Sequence, residues 1–296
     1  MPYTHRSPLY SANRIHTLTE RLAGARAADR AAGWVARAIA FIPAQGRAKD
    51  ALSGTWLDHP LHPMLTDLPI GFWTSAMLLD CMPGSGRDDA ARALVGAGVL
   101  CAIPTALTGA ADWSDTEGGD RRVGAVHALA NTSAVACYAA SWTARRRGKQ
   151  GAGIALGFAG ATLATIGGFL GGHLVAALGV GVDRNVFDSR LDDWTTVGDV
   201  TAVPDGPSVA TVDEHSVLIL RAGSAVQAIA AVCPHRGAPL GAADVEGDVV
   251  TCPWHGSRFC MSDGALLRGP SPTPIRAYDA RIRGDVIEIR SSIRNP

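Results

Sequence analysis

Four residues in the last quarter of the chain have the types and spacing to bind metal. "AVCPHRGAPL" (231–240) carries Cys233 and His235, two apart. "TCPWHGSRF" (251–259) carries Cys252 and His255, three apart, and sixteen residues separate His235 from Cys252. Two thiolates and two imidazoles suit a tetrahedral zinc ion. Three features argue for a different centre. Each pair follows β-type sequence, "VQAIAAV" and "GDVVT", rather than a helix. Each runs into loop residues, "RGAPL" and "GSRF". Gly269, Pro270, Pro272 and Pro274 then supply a third irregular segment that could cover the site.

"CPHRGAPL" and "CPWHGSRF" resemble the two cluster-binding loops of Rieske [2Fe–2S] proteins, and the resemblance covers about residues 195–292. It implies an all-β domain in which Cys233 and Cys252 hold one iron and His235 and His255 the other. Neutral imidazoles in place of thiolates remove negative charge and raise the potential to about −150 to +300 mV across the class. It also places Pro234, Pro253, Gly256, Ser257 and Phe259 around the ligands. Rieske subunits of respiratory quinol-oxidising complexes carry an extra disulfide between the loops. The matching positions here are Ala238 and Trp254. Ser257 stands at those subunits' Ser position, but Phe259 replaces their Tyr and has no hydroxyl to donate to the cluster. The expected potential is therefore lower than in the respiratory class, and the domain resembles ferredoxins that feed oxygenases. Cys260 matches no ligand position.

The elements that must position these loops follow from the division of the chain. Its 296 residues allow roughly two domains. Formal net charge is zero, which gives no footprint for nucleic acid. Residues 1–56 read as a basic, Ala/Arg-rich helical arm, 57–183 as an apolar membrane domain, 184–194 as a linker and 195–296 as the cluster domain. Cys81, Cys101 and Cys137 lie singly in the apolar part and read as small buried residues. No cysteine framework or N-terminal signal sequence argues for secretion. The fold class expected is an α-helical membrane bundle followed by an all-β domain.

Uncharged runs of 19 residues (93–111), 22 (123–144) and 33 (150–182) meet the roughly 20-residue length of a membrane helix. "HPMLTDLPIGFWTSAMLLDCM" (62–82) is a fourth, weaker candidate because of Asp67 and Asp80. The runs are apolar on all sides rather than along one stripe, which favours lipid over a soluble core. In "GGFLGGHL" (167–174), Gly167 and Gly171 share a face on which another helix can approach closely. "HPLHPMLTDLP", "TGAADW", "HALAN" and "GGHLVAALGVGVD" resemble an uncharacterised family of four-helix bacterial membrane domains. That resemblance implies architecture and little else.

In an alternating four-helix bundle, the beginnings of odd helices and the ends of even ones share one membrane face. His59, His62, Asp67, Asp112, His127, Asn131 and His173 are expected there, where the cluster domain emerges. Ionisable groups inside a membrane are costly and often functional. His62, Asp67, Asp112, His127, Asn131 and His173 are therefore candidates for a pocket holding a quinone, a haem or a metal ion; helix caps or a structural polar network are the plainer alternatives.

Basic residues do not decide the topology. "ARRRGKQ" (144–150) lies on one side, and the arm with Arg121, Arg122, Arg184 and Arg190 lies on the other. Assembly of such clusters in the cytoplasm favours a cytoplasmic cluster domain. "RIHTLTERLAGARAADRAAGWVARAIAFI" (14–42) suits an amphipathic helix on a lipid surface. The function expected is a membrane-anchored electron carrier between a redox donor and an acceptor protein. A quinol-oxidising enzyme and a redox sensor are the alternatives. The chain after the motif is too short for a mononuclear-iron oxygenase domain.

Overall fold

The structure, a computed structural model, describes residues 14–83 and 86–292. The first thirteen residues of the expected arm lie outside the described residues. The chain divides into two compact units. One comprises the chain up to Phe41 together with Leu65–Val180. The other comprises Ile42–Met64 and the chain from Gly181 onward.

The first unit is helical. α1 (Arg14–Gly24) and α2 (Ala28–Ala38) precede four longer helices, α4 (Leu61–Cys81), α5 (Arg87–Ser114), α6 (Gly118–Arg146) and α7 (Gln150–Ala176). Among the described residues, α5, α6 and α7 are long and apolar enough to cross a membrane. α4, with 21 residues and two carboxylates, is not among them. Leu100, Ile103, Leu129, Phe158, Ile166 and Phe169 point outward, as they do when lipid rather than water surrounds a helix. The interior is built on aromatics laid over small residues. Trp73 of α4 stacks on Tyr138 of α6, with ring centroids 4.0 Å apart and planes 10° apart. Their rings lie on Gly98 and Gly160, where any side chain would collide with them.

The arm packs against this unit by one face. Ala32 of α2 is buried with Trp113 and Ala125. The Arg122 guanidinium donates to the Asp29 carboxylate at 2.7 Å and to the Ala23 carbonyl at 2.9 Å. Trp34 and Phe41 remain exposed.

The second unit is mostly antiparallel sheet. β1 (Thr195–Asp199), β2 (Gly206–Val212), β3 (His215–Ala222), β4 (Ala225–Ala230), β9 (Ala277–Arg283) and β10 (Val286–Ser291) form one sheet in the order β1-β10-β9-β4-β3-β2. β5 (Asp244–Glu246), β6 (Val249–Thr251), β7 (Arg258–Cys260) and β8 (Leu266–Arg268) form the other, in sequence order. Side chains alternate faces along a strand, and here both faces of the larger sheet are covered. Val217 and Ile219 of β3, Ala228 of β4 and Tyr278 of β9 enter one core. Leu218, Ile229 and Ala277, their neighbours on the opposite face, enter the other. That second core also contains Cys233, Ala238, Cys252 and Phe259, so the cysteines grow directly out of it.

Residues 42–64 belong to this unit although they precede the bundle in sequence. They form α3 (Arg47–Ser53) and a 3₁₀ turn, Thr55–Leu57. The segment expected as a linker is also held down. The Asn185 amide donates to the Val232 carbonyl at 3.0 Å, and the Arg276 guanidinium to the carbonyls of Asn185, Asp188 and Ser189.

Candidate metal centre

The two loops are built alike. The first leaves β4, and the second joins β6 to β7. In the first, the Cys233 N–H donates to the Ala238 carbonyl at 2.9 Å and the Gly237 N–H to the Cys233 carbonyl at 2.9 Å. In the second, Cys252 N–H bonds the Ser257 carbonyl at 2.8 Å and Gly256 N–H the Cys252 carbonyl at 3.0 Å. Both turns close through a glycine with positive φ, 78° at Gly237 and 75° at Gly256, a conformation that a side chain would strain. Each loop thus reads Cys-Pro-x-x-Gly-x, and the two differ in whether His stands two or three residues after Cys.

This repeat brings the four donors together as two pairs. Cys233 and Cys252 are buried and within hydrogen-bond reach of each other. The imidazoles of His235 and His255 meet edge to face, with centroids 5.0 Å apart and planes 78° apart. A sulfur pair with an imidazole pair is the donor set of a Rieske-type two-iron centre.

The surroundings suit the same group. The hydrogen bond from Cys233, then the N–H groups of Trp254 and His255, hold the Cys252 thiol below its ordinary range despite burial. The shared hydrogen bond and burial push Cys233 the other way, opposed by the N–H groups of His235 and Arg236. Four backbone N–H groups therefore face the two sulfurs, a setting that stabilises thiolate. Burial, then the charges of His255 and Lys49, lower His235 to about 3, which keeps the imidazole in its neutral, metal-binding form.

The flanking residues divide by role. Ser257 is fully buried, and its oxygen accepts the Ser271 N–H at 2.9 Å. That bond does not use the Ser257 hydroxyl proton, which can still be donated. It also ties the 269–274 segment to the second loop. Pro234 is buried and Pro253 exposed. Phe259 is buried in the core beneath the cysteines. Ala238 is buried and Trp254 is 55% exposed. Cys260 follows Phe259 on β7 and so faces the opposite side, where its Sγ lies 3.1 Å from Asp248 and 3.0 Å from Ser262.

Of the residues expected in a bundle pocket, the structure brings His127 and Asn131 together against α7. His127 Nδ1 donates to the Gly167 carbonyl at 2.8 Å, and the Asn131 amide to the His127 carbonyl at 2.9 Å. Gly167 and Gly171 give them room. The first bond joins α6 to α7, and the second lies within α6. The most buried polar pair of the bundle was not anticipated. Arg145 binds Asp80 through both guanidinium nitrogens, at 2.9 and 2.5 Å, and donates to Ser141 Oγ at 3.2 Å. It lies about 27 Å along α6 from His127, at 1.5 Å per residue. The sequence signal was present in Asp80 and in "ARRRGKQ", but each read as an end of an apolar run.

Comparison with known proteins agrees with the two-part division. Residues 193–279 match the Rieske [2Fe-2S] domain, and residues 58–184 match the predicted membrane protein family DUF2231. The chain is 38% identical over 98 residues to a cytochrome b6-f complex iron-sulfur subunit of Chlorobaculum thiosulfatiphilum, covering 33% of this chain and 53% of that one. It is 29% identical over 91 residues to a 3-phenylpropionate/cinnamic acid dioxygenase ferredoxin subunit of Shigella boydii, covering 30% and 86%. The ferredoxin of carbazole 1,9a-dioxygenase from Nocardioides aromaticivorans aligns at a TM-score of 0.32 with 29% identity, over 34% of this chain and all of that one. The chain spans about half the length of the cytochrome b6-f subunits it matches. The chain thus carries a Rieske [2Fe-2S] domain over residues 193–279, preceded by a DUF2231 predicted membrane protein domain over residues 58–184.

Proposed function

We propose that this protein is a membrane-anchored carrier that passes single electrons between a redox donor and a membrane or soluble acceptor. Cys233 and Cys252 hold one iron, and His235 and His255 the other. The observation that carries this reading is the sulfur pair beside the imidazole pair, held by two matching loops. A [2Fe–2S] group supplies reversible one-electron chemistry. The protein's part is to hold the thiolates with backbone N–H groups, keep the imidazoles neutral, and exclude water through the core under Cys233 and Cys252. Exposed Trp254, edge-on to His255 with centroids 6.4 Å apart, offers a partner protein an aromatic contact beside the imidazole pair. α5, α6 and α7 anchor the domain to the membrane, with the cluster domain on the cytoplasmic side.

A second reading, a quinol-oxidising enzyme, draws on the likeness to the iron-sulfur subunit of a cytochrome b6-f complex. Adding quinol to the oxidised protein separates the two. An electron carrier without a quinol site gives the reduced-cluster paramagnetic resonance signal with dithionite only. A signal with quinol as well favours the second reading. No signal with either overturns both. Protease protection of the C-terminal domain in sealed vesicles tests its side of the membrane.

A further inference from the structure

Residues 45–57 lie outside both matched family regions, yet they pack on the cluster domain. The Gln45 amide sits against Gly256, between His255 and Ser257, and its oxygen accepts from the Arg268 guanidinium at 3.2 Å. The Thr55 hydroxyl reaches the Ser271 carbonyl at 3.4 Å. Asp50 and Thr55 lie against Gly269. Ser271 in turn donates to Ser257. Between these contacts lies Lys49, fully buried within α3.

A buried ammonium is costly unless something charged or polar compensates it. The charge of Lys49 acts on His235, as do those of Arg236 and Arg184. Arg184 is exposed and Arg236 half-buried, so solvent screens them more than Lys49.

Resting on the ligand assignment above, we propose that residues 45–57 form a third wall of the cluster site, and that the buried Lys49 ammonium raises the cluster's reduction potential. Reduction adds one negative charge to the centre. A positive charge on the buried helix of this wall, close enough to act on His235, favours that state. The effect opposes the loss of a hydroxyl at Phe259.

The test is a redox titration of the intact protein, followed by the paramagnetic resonance of the reduced cluster, with iron content measured on each sample. Lys49→Met is expected to lower the reduction equilibrium constant about tenfold, or about 59 mV for one electron. Lys49→Arg keeps the charge and is expected to restore most of the potential. An unchanged potential in an iron-loaded Lys49→Met protein overturns the proposal. So does an equal fall in both variants, which would mark a packing role only. If Lys49→Met loads no iron, Gln45→Glu decides: this exposed, isosteric change puts a negative charge against Gly256 and should lower the potential severalfold in equilibrium constant. No change there removes the wall from the site. Absence of any cluster signal in the unsubstituted protein would instead contradict the ligand assignment itself.

Discussion

The two units contain half-buried histidines of different kinds. In the bundle, His127 gives its Nδ1 proton to the Gly167 carbonyl, and Asn131 secures the turn beneath it. The ring is used to join α6 to α7. In the cluster domain, the rings of His235 and His255 are turned toward each other beside two sulfurs, on loops closed by their own backbone bonds. The contrast is between a ring whose hydrogen bond joins two helices and two rings that face each other across two loops.

Substitutions can break this comparison, and the largest effect is expected at the sulfur pair. With the proposed ligand set, Cys252→Ser removes one of two thiolates that would share an iron, and should abolish the reduced-cluster signal and the bound iron. Helical circular dichroism of the bundle should survive. Retention of two irons would remove Cys252 from the ligand set.

Next is the bundle's own polar anchor. Asp80→Asn leaves Arg145 buried without its counter-charge and should cost about 3–5 kcal/mol, read as earlier thermal unfolding of the helices in detergent. The cluster's potential should not move. If it moves, the bundle and the cluster are energetically coupled.

A smaller effect is expected from Phe259→Tyr, which adds a hydroxyl beneath the cysteines. A hydrogen bond to the reduced centre should raise the potential by about 59 mV, roughly tenfold in equilibrium constant. No rise, with the cluster loaded, would mean that the ring position alone does not explain the difference from the respiratory class.

The smallest effect sharpens the contrast between the histidines. His127→Leu should cost about 0.6 kcal/mol of helix packing, the average for interhelical hydrogen bonds in membranes, and at most about 1.7 kcal/mol. The optical spectrum and cluster potential should be unchanged. Loss of a haem band on this substitution would overturn the structural role given to His127.

The legibility of these features in the sequence follows their locality. Cys233, His235, Cys252 and His255 lie within short loops whose spacing survives any rearrangement elsewhere, so the motif could be recognised before the fold. The three long apolar helices were equally plain, because length and composition decide them. The arm was read as one basic helical segment, but its residues from Ile42 onward pack with the cluster domain. Nothing in "QGRAKDALSGTWL" marks that contact. The charge of Lys49 acts on His235, 186 positions later in the chain, and only the tertiary fold brings it within range. Asp80 and Arg145 were hidden for a related reason. Each looks like the charged end of a membrane helix until α4 and α6 are laid side by side. His127 and His173 could be placed at similar depth by counting turns, but depth says nothing about which way a ring donates.

The proposed centre is a two-iron cluster held by two thiolates and two imidazoles. The most direct test is a redox titration of the intact, purified protein, with iron and sulfide measured on the same sample. It should find two irons, two sulfides, a resonance signal that develops on one-electron reduction, and a midpoint within about −150 to +300 mV. A single zinc without sulfide, or a midpoint near the −400 mV of all-cysteine plant-type clusters, would contradict it.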